Sequence, residues 1–110
     1  MRIYDLHDKE GQVFAFEVNS FVGRRAACRI AARIPGARVI ALPKDRRERI
    51  EGVFCLFDVG DVRFQIWEPF GDNSRYWIGP DPVQLTVHLA SVRKAFAEVN
   101  PWAAFFALAG

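Results

Sequence analysis

Between Glu68 and Pro82 the chain gathers polar and aromatic side chains: Glu68, Asp72, Asn73, Ser74, Arg75, Tyr76, Trp77 and Asp81. Residues of these types support two kinds of chemistry. The first is recognition, in which Asp72, Asn73 and Arg75 supply charge and hydrogen bonds while Tyr76 and Trp77 supply rigid contact area. The second is acid–base or small-molecule chemistry centred on Glu68, Asp72, Arg75 and Tyr76. Acid–base work needs a second group of matching role within reach, and the spacing places none. No catalytic residue is therefore assigned, and the balance leans away from an enzyme. A structural reading stands beside both: Asp72, Asn73 and Ser74 bond nearby backbone, and Trp77 and Ile78 cover the edge of the core.

Glu68 has its own signal. It falls in phase with the apolar side chains of the preceding segment, where a carboxylate is costly unless paired. Arg75 is the nearest cation that could pair with it in the loop, so a Glu68–Arg75 bridge closing the loop is expected.

A different chemistry is suggested upstream. Between Arg24 and Arg49 there are nine basic residues and two acids, a net +7; the remaining six bases and eleven acids carry −5. Arg25, Arg29 and Arg33 recur at helical spacing and form a basic stripe that could meet nucleic acid or an acidic protein. Amphipathic helices also expose charge for solvation alone, and no zinc finger, aromatic RNA-binding strand signature or KH-type glycine loop accompanies the stripe. Nucleic acid ranks below protein as a partner.

The remaining reactive types are sparse. His7 and His88 are the only histidines; His88 lies on an apolar stripe, and His7 lies in a turn beside Asp5 and Asp8. Cys28 and Cys55 lack paired metal-ligand spacing and read as free thiols packed as small apolar groups in a reducing compartment. Gly11, Gly71 and Gly79 stand singly, without a phosphate-cradling pattern. Neither a metal nor a cofactor is expected. The N-terminal Met1-Arg2-Ile3-Tyr4-Asp5 lacks signal-peptide character, and no apolar run approaches the ~18 residues of a membrane span. A cytoplasmic protein with no membrane contact is expected.

These side chains must be held by elements, and alternation and periodicity predict them. Ile3–Leu6 and Gln12–Val18 form a hairpin around a polar turn, with Phe14, Phe16 and Val18 on one face. A helix capped by Asn19 or Ser20 follows, its apolar stripe being Gly23, Ala27, Ile30, Ala31 and Ile34. Pro35-Gly36 ends it, Arg38–Leu42 is a strand, and Pro43–Glu51 is a charged connection. Val53–Val59 and Val62–Glu68 flank Gly60-Asp61, a two-residue hairpin turn. That turn sets Val59 against Val62, Phe57 against Phe64 and Cys55 against Ile66 on one apolar face. The other face pairs Asp58 with Arg63, Leu56 with Gln65 and Phe54 with Trp67.

A second amphipathic helix carries Leu85, His88, Leu89, Val92, Phe96 and Val99, until Asn100-Pro101 interrupts it. The uncharged run Trp102–Gly110 would be a hazard if exposed, and either folds back over the sheet or pairs with a second copy in a homodimer.

Residues 1–110 are thus expected to form one α+β domain. Its sheet is mainly antiparallel with about five strands in ββ-α-β-β-β-α order, and two helices pack on one face. In size and element order the chain resembles the small stand-alone bacterial α+β proteins, some of which, like the immunity proteins of toxin systems, bind and neutralise a partner protein. That resemblance implies a non-enzymatic protein-binding module. Its contact residues would be Asp72–Trp77 together with Phe54, Arg63 and Trp67 on the outer hairpin face.

Overall fold

A computed structural model of the chain describes residues 1–19, 23–40, 52–69 and 75–100. The expected hairpin is present as β4 (Val53–Val59) and β5 (Val62–Trp67), with Val59, Asp58, Phe57, Leu56 and Cys55 opposite Val62, Arg63, Phe64, Gln65 and Ile66. Gly60 takes a φ of +62°, which suits a tight primed turn. Phe57 and Phe64 stack at 5.4 Å and are fully buried.

The register breaks at the far end of the hairpin. A β-bulge between Val53 and Cys55 sets Val53, not Phe54, opposite Trp67. The extra residue turns Phe54 inward, edge-on to Tyr76 at 4.9 Å. The expected Phe54–Trp67 pair on the outer face is thereby corrected.

Among the described residues the sheet has six strands, close to the five or so expected. Besides the hairpin it holds β1 (Ile3–His7), β2 (Val13–Asn19), β3 (Ala37–Ile40) and β6 (Arg75–Pro80), in the order β1-β2-β6-β5-β4-β3 with every pairing antiparallel. Most of what read as the end of a loop is β6, a central strand between β2 and β5. Its alternation is plain once placed, since Tyr76, Ile78 and Pro80 are buried while Arg75 and Trp77 are half-buried. Gly79 and Pro80, both poor strand formers, obscured it.

Both helices cover one face. In α1 (Gly23–Ala32) the residues Ala27, Ile30 and Ala31 are buried, as the stripe predicts, and they pack towards β3 and β4. In α2 (Leu89–Ala97) Leu89, Val92 and Phe96 are buried against β1 and β2, with Phe96 5.9 Å from Phe16. The fold is therefore α+β, a helix layer on an antiparallel sheet. The second helix starts later than expected, and Leu85 lies outside it and exposed. His88 occupies the N-cap position and rests over Gly60, where a Cβ would come within 2.9 Å of its Nε2.

The cysteines are not free. Cys28 on α1 and Cys55 on β4 form a disulfide with a Cα separation of 5.9 Å, inside the bridgeable range. Spacing along the chain could not show this, because the bond depends on how α1 docks on the sheet. The charged connection, the C-terminal run and the candidate contacts Asp72 and Asn73 lie outside the described residues, as does the homodimer expectation placed on that run. Among the described residues, no helix is long and apolar enough to cross a membrane.

Candidate functional site

Trp67, Trp77, Arg75 and Arg63 project to the sheet face opposite the one on which the described helices α1 and α2 pack. Strand pairing lines up one row across five strands: Tyr4 opposite Glu17, Glu17 opposite Trp77, Trp77 opposite Trp67, and Trp67 opposite Val53. The two indoles lie with centroids 6.1 Å apart, tilted by 55°. Trp77 folds over its own strand, and a Cβ at Gly79 would fall 2.8 Å from its Cη2 and 2.7 Å from the Ala15 Cβ. The absence of a side chain at Gly79 is what lets the indole lie flat on the sheet.

Arg75 is held in place beside this row. Its Nη1 donates to Glu17 Oε1 at 3.2 Å, and its guanidinium stacks on the Tyr4 ring at 3.7 Å. Arg2 approaches the same ring at 5.1 Å. Cation–π stacking of this kind positions a guanidinium without consuming all its donors. Further along the face, Asp58 accepts from Arg63 Nε at 3.0 Å and lies 3.7 Å from Arg38. The Asp58 partnership raises the Arg63 pKa.

Glu68 points the other way, beneath α1. As its phase in the strand suggested, it is buried, with its side chain 8% exposed, but its cation is not Arg75. Arg24 Nε donates to Glu68 Oε1 at 2.5 Å. The same guanidinium lies 5.3 Å from the Phe54 ring. The expected Glu68–Arg75 bridge is corrected because β6 turns Arg75 to the opposite face, towards Glu17. The hydrogen bond with Glu68 raises the Arg24 pKa.

Tyr76 belongs to the inner cluster. It is buried, and burial, helped by nearby Glu68, pushes its phenol pKa up. It is a core residue and leaves the set of surface contacts, as does Phe54. Of the sequence candidates, Trp67, Trp77, Arg75 and Arg63 share the sheet face opposite α1 and α2. Arg25 and Arg29 on α1, and Arg33 just after its end, are exposed on the helix-bearing side of the sheet.

Tyr4 and Glu17 were not singled out by the sequence. Their importance depends on β2 lying next to β6, a pairing between segments far apart in the chain. An open cleft of about 380 Å³ lies at the hairpin end, lined by Asp58, Gly60, Asp61, Arg63, Asp81 and Pro82. Glu68, Arg75 and Tyr76, the groups considered for small-molecule chemistry, do not line it. Among the described residues, no three His, Cys, Asp or Glu side chains converge to hold a metal ion. No protein-family model, curated protein or solved structure matches the chain.

Proposed function

We propose that the chain is a non-enzymatic protein-binding module whose contact surface is the sheet face opposite α1 and α2. One observation carries this reading: two tryptophans on adjacent central strands, Trp67 and Trp77, lie side by side on the sheet face opposite the two described helices. Trp, Tyr and Arg are the residue types most enriched at the energetic centres of protein interfaces. Here Arg75 and Arg63 flank the pair, with Glu17 and Asp58 keeping each guanidinium in a defined pose. A rigid platform of this kind loses little entropy on binding. The likeness of the chain to small partner-neutralising proteins fits a single broad contact face.

The test is affinity capture by the immobilised protein, with partners identified by mass spectrometry. The substitutions Trp67→Ala and Arg63→Glu should remove a partner retained by the wild type, while circular dichroism and the melting temperature show the fold intact. Retention of every partner by both variants would overturn the reading.

Nucleic-acid binding through α1 is the second reading, favoured by the exposure of Arg25 and Arg29 on the helix and of Arg33 in the turn after it. It requires an affinity that falls steeply with salt, and falls again when these residues become Gln. The cytoplasmic expectation drew on free thiols, and the Cys28–Cys55 bond withdraws that support. Titration of thiols in the protein freshly isolated from its native cells would decide which redox environment it meets.

A further inference from the structure

The two halves of the Cys28–Cys55 disulfide sit in different surroundings. Cys55 is 0% exposed and belongs to a core cluster with the fully buried Phe57, Phe64 and Ile66. Cys28 is half-buried, at the margin of the α1 stripe. At ~100° per residue it falls between the buried Ala27 and Ala31 on one side and the exposed Arg25 and Ala32 on the other. Ala32, four residues on, carries only a methyl group on that flank. Arg24 and Arg25, four and three residues before Cys28, share the flank with it. The helix holds three arginines and no acid; Arg24 is engaged by Glu68, and Arg25 is exposed.

We propose that Cys28 is a thiol-exchange site, the sulfur at which a small anionic aliphatic thiol such as glutathione enters to form a mixed disulfide. Exchange requires a thiolate to reach a sulfur, and access chooses between the two. The incoming thiolate bonds to Cys28 Sγ as the Cys28–Cys55 bond breaks. The bonding pair leaves with Cys55 Sγ, which takes up a proton because apolar surroundings favour the neutral thiol. A second small thiolate then attacks the small thiol's sulfur in the mixed disulfide and releases Cys28. In sum, one protein disulfide and two small thiols become two protein thiols and one small disulfide, with two protons passed to the protein. In reverse, a small disulfide marks the reduced protein at Cys28 first.

The charge of α1 selects the class of thiol. A guanidinium beside Cys28 favours its thiolate and an anion arriving next to it, and disfavours a thiol that carries an ammonium group. Opening the bond cuts the covalent tie between α1 and β4 and leaves the Arg24–Glu68 ion pair holding the same part of the helix. Modification at Cys28 thereby couples the thiol status of the surroundings to the docking of α1. The site lies on the helix-bearing side of the sheet, and the inference does not rest on the binding role given to the Trp67–Trp77 face.

Two measurements test the proposal. Cys55→Ala leaves Cys28 as a single thiol, which should take one glutathione from oxidised glutathione. In Cys28→Ala the Cys55 thiol should stay unmodified until urea unfolds the chain. Should these variants not fold, brief alkylation of the phosphine-reduced wild type by iodoacetamide, mapped by mass spectrometry, should mark Cys28 before Cys55. Reaction at Cys55 as fast as at Cys28 overturns the proposal, as does a folded protein in which neither sulfur reacts. The second measurement is the rate at which small thiols open the disulfide of the wild type. The ratio of the rate with glutathione to that with the cationic thiol cysteamine should fall about threefold in Arg25→Gln, the scale of one surface charge acting through water. An unchanged ratio overturns the assignment to an anionic thiol.

Discussion

The covalent link between α1 and β4 makes the most quantitative prediction. Cys28 and Cys55 are 27 residues apart, so the bond closes a loop of that size in the unfolded chain. The loss of chain entropy for such a loop corresponds to about 3.5 kcal/mol of stability at 25 °C. At the unfolding entropy of a domain of this length, that equals a fall in melting temperature of about 15 °C on reduction. The bond also lies one helical turn from Arg24, whose ion pair with Glu68 ties the same part of α1 to the residue that follows β5. Reduction should therefore weaken the docking of α1 without abolishing it.

The assay is urea unfolding followed by tryptophan fluorescence, with and without a phosphine reductant. Reduction keeps every heavy atom except the bond itself, so no cavity term intrudes. The midpoint should fall by the amount the loop entropy dictates, and the urea dependence should steepen because the uncrosslinked unfolded chain exposes more surface. An unchanged midpoint would refute the reasoning, since a bond that constrains only the unfolded state cannot be cut without effect. Two titratable thiols in the unreduced protein would refute the bond outright.

Three further outcomes follow from single contacts. Gly79→Ala places a methyl within 3 Å of both Ala15 and the Trp77 indole; it should cost about 1–3 kcal/mol in urea unfolding and shift Trp77 fluorescence as the ring lifts from the sheet. The Asp5 carboxyl is held below its ordinary value of 3.8, chiefly by the hydrogen bond from Arg93. Its folded pKa is depressed, so its contribution is present above the unfolded value and is lost as pH falls through the folded one. Arg93→Gln should remove about 1 kcal/mol at neutral pH and flatten the acid limb of the stability profile, whereas an unaltered limb would exclude the pair as its source. Tyr76, raised above 10.0 mainly by burial, should ionise above the ordinary phenol range in absorbance at 295 nm, a late phase that Tyr76→Phe removes. A raised folded pKa means stability is intact below the unfolded value and declines as pH climbs past it, and Tyr76→Phe should reduce that alkaline loss.

Local pattern determined much of this protein. The β4–β5 register from Cys55 to Val59, the buried stripe of α1 and the inward phase of Glu68 were all legible. Each depends on turn chemistry or side-chain periodicity over neighbouring residues, which act before distant parts of the chain meet. Tertiary structure decided the rest. Placing β6 between β2 and β5 turned Arg75 towards Glu17 and Tyr4, and left Glu68 to Arg24, 44 residues away. The bulge that buries Phe54, the Cys28–Cys55 bond and the Tyr4–Glu17–Trp77–Trp67 row arise in the same way. Contacts between segments far apart in the chain form only where packing of the whole sheet and its helices brings them together, and no local spacing encodes that choice.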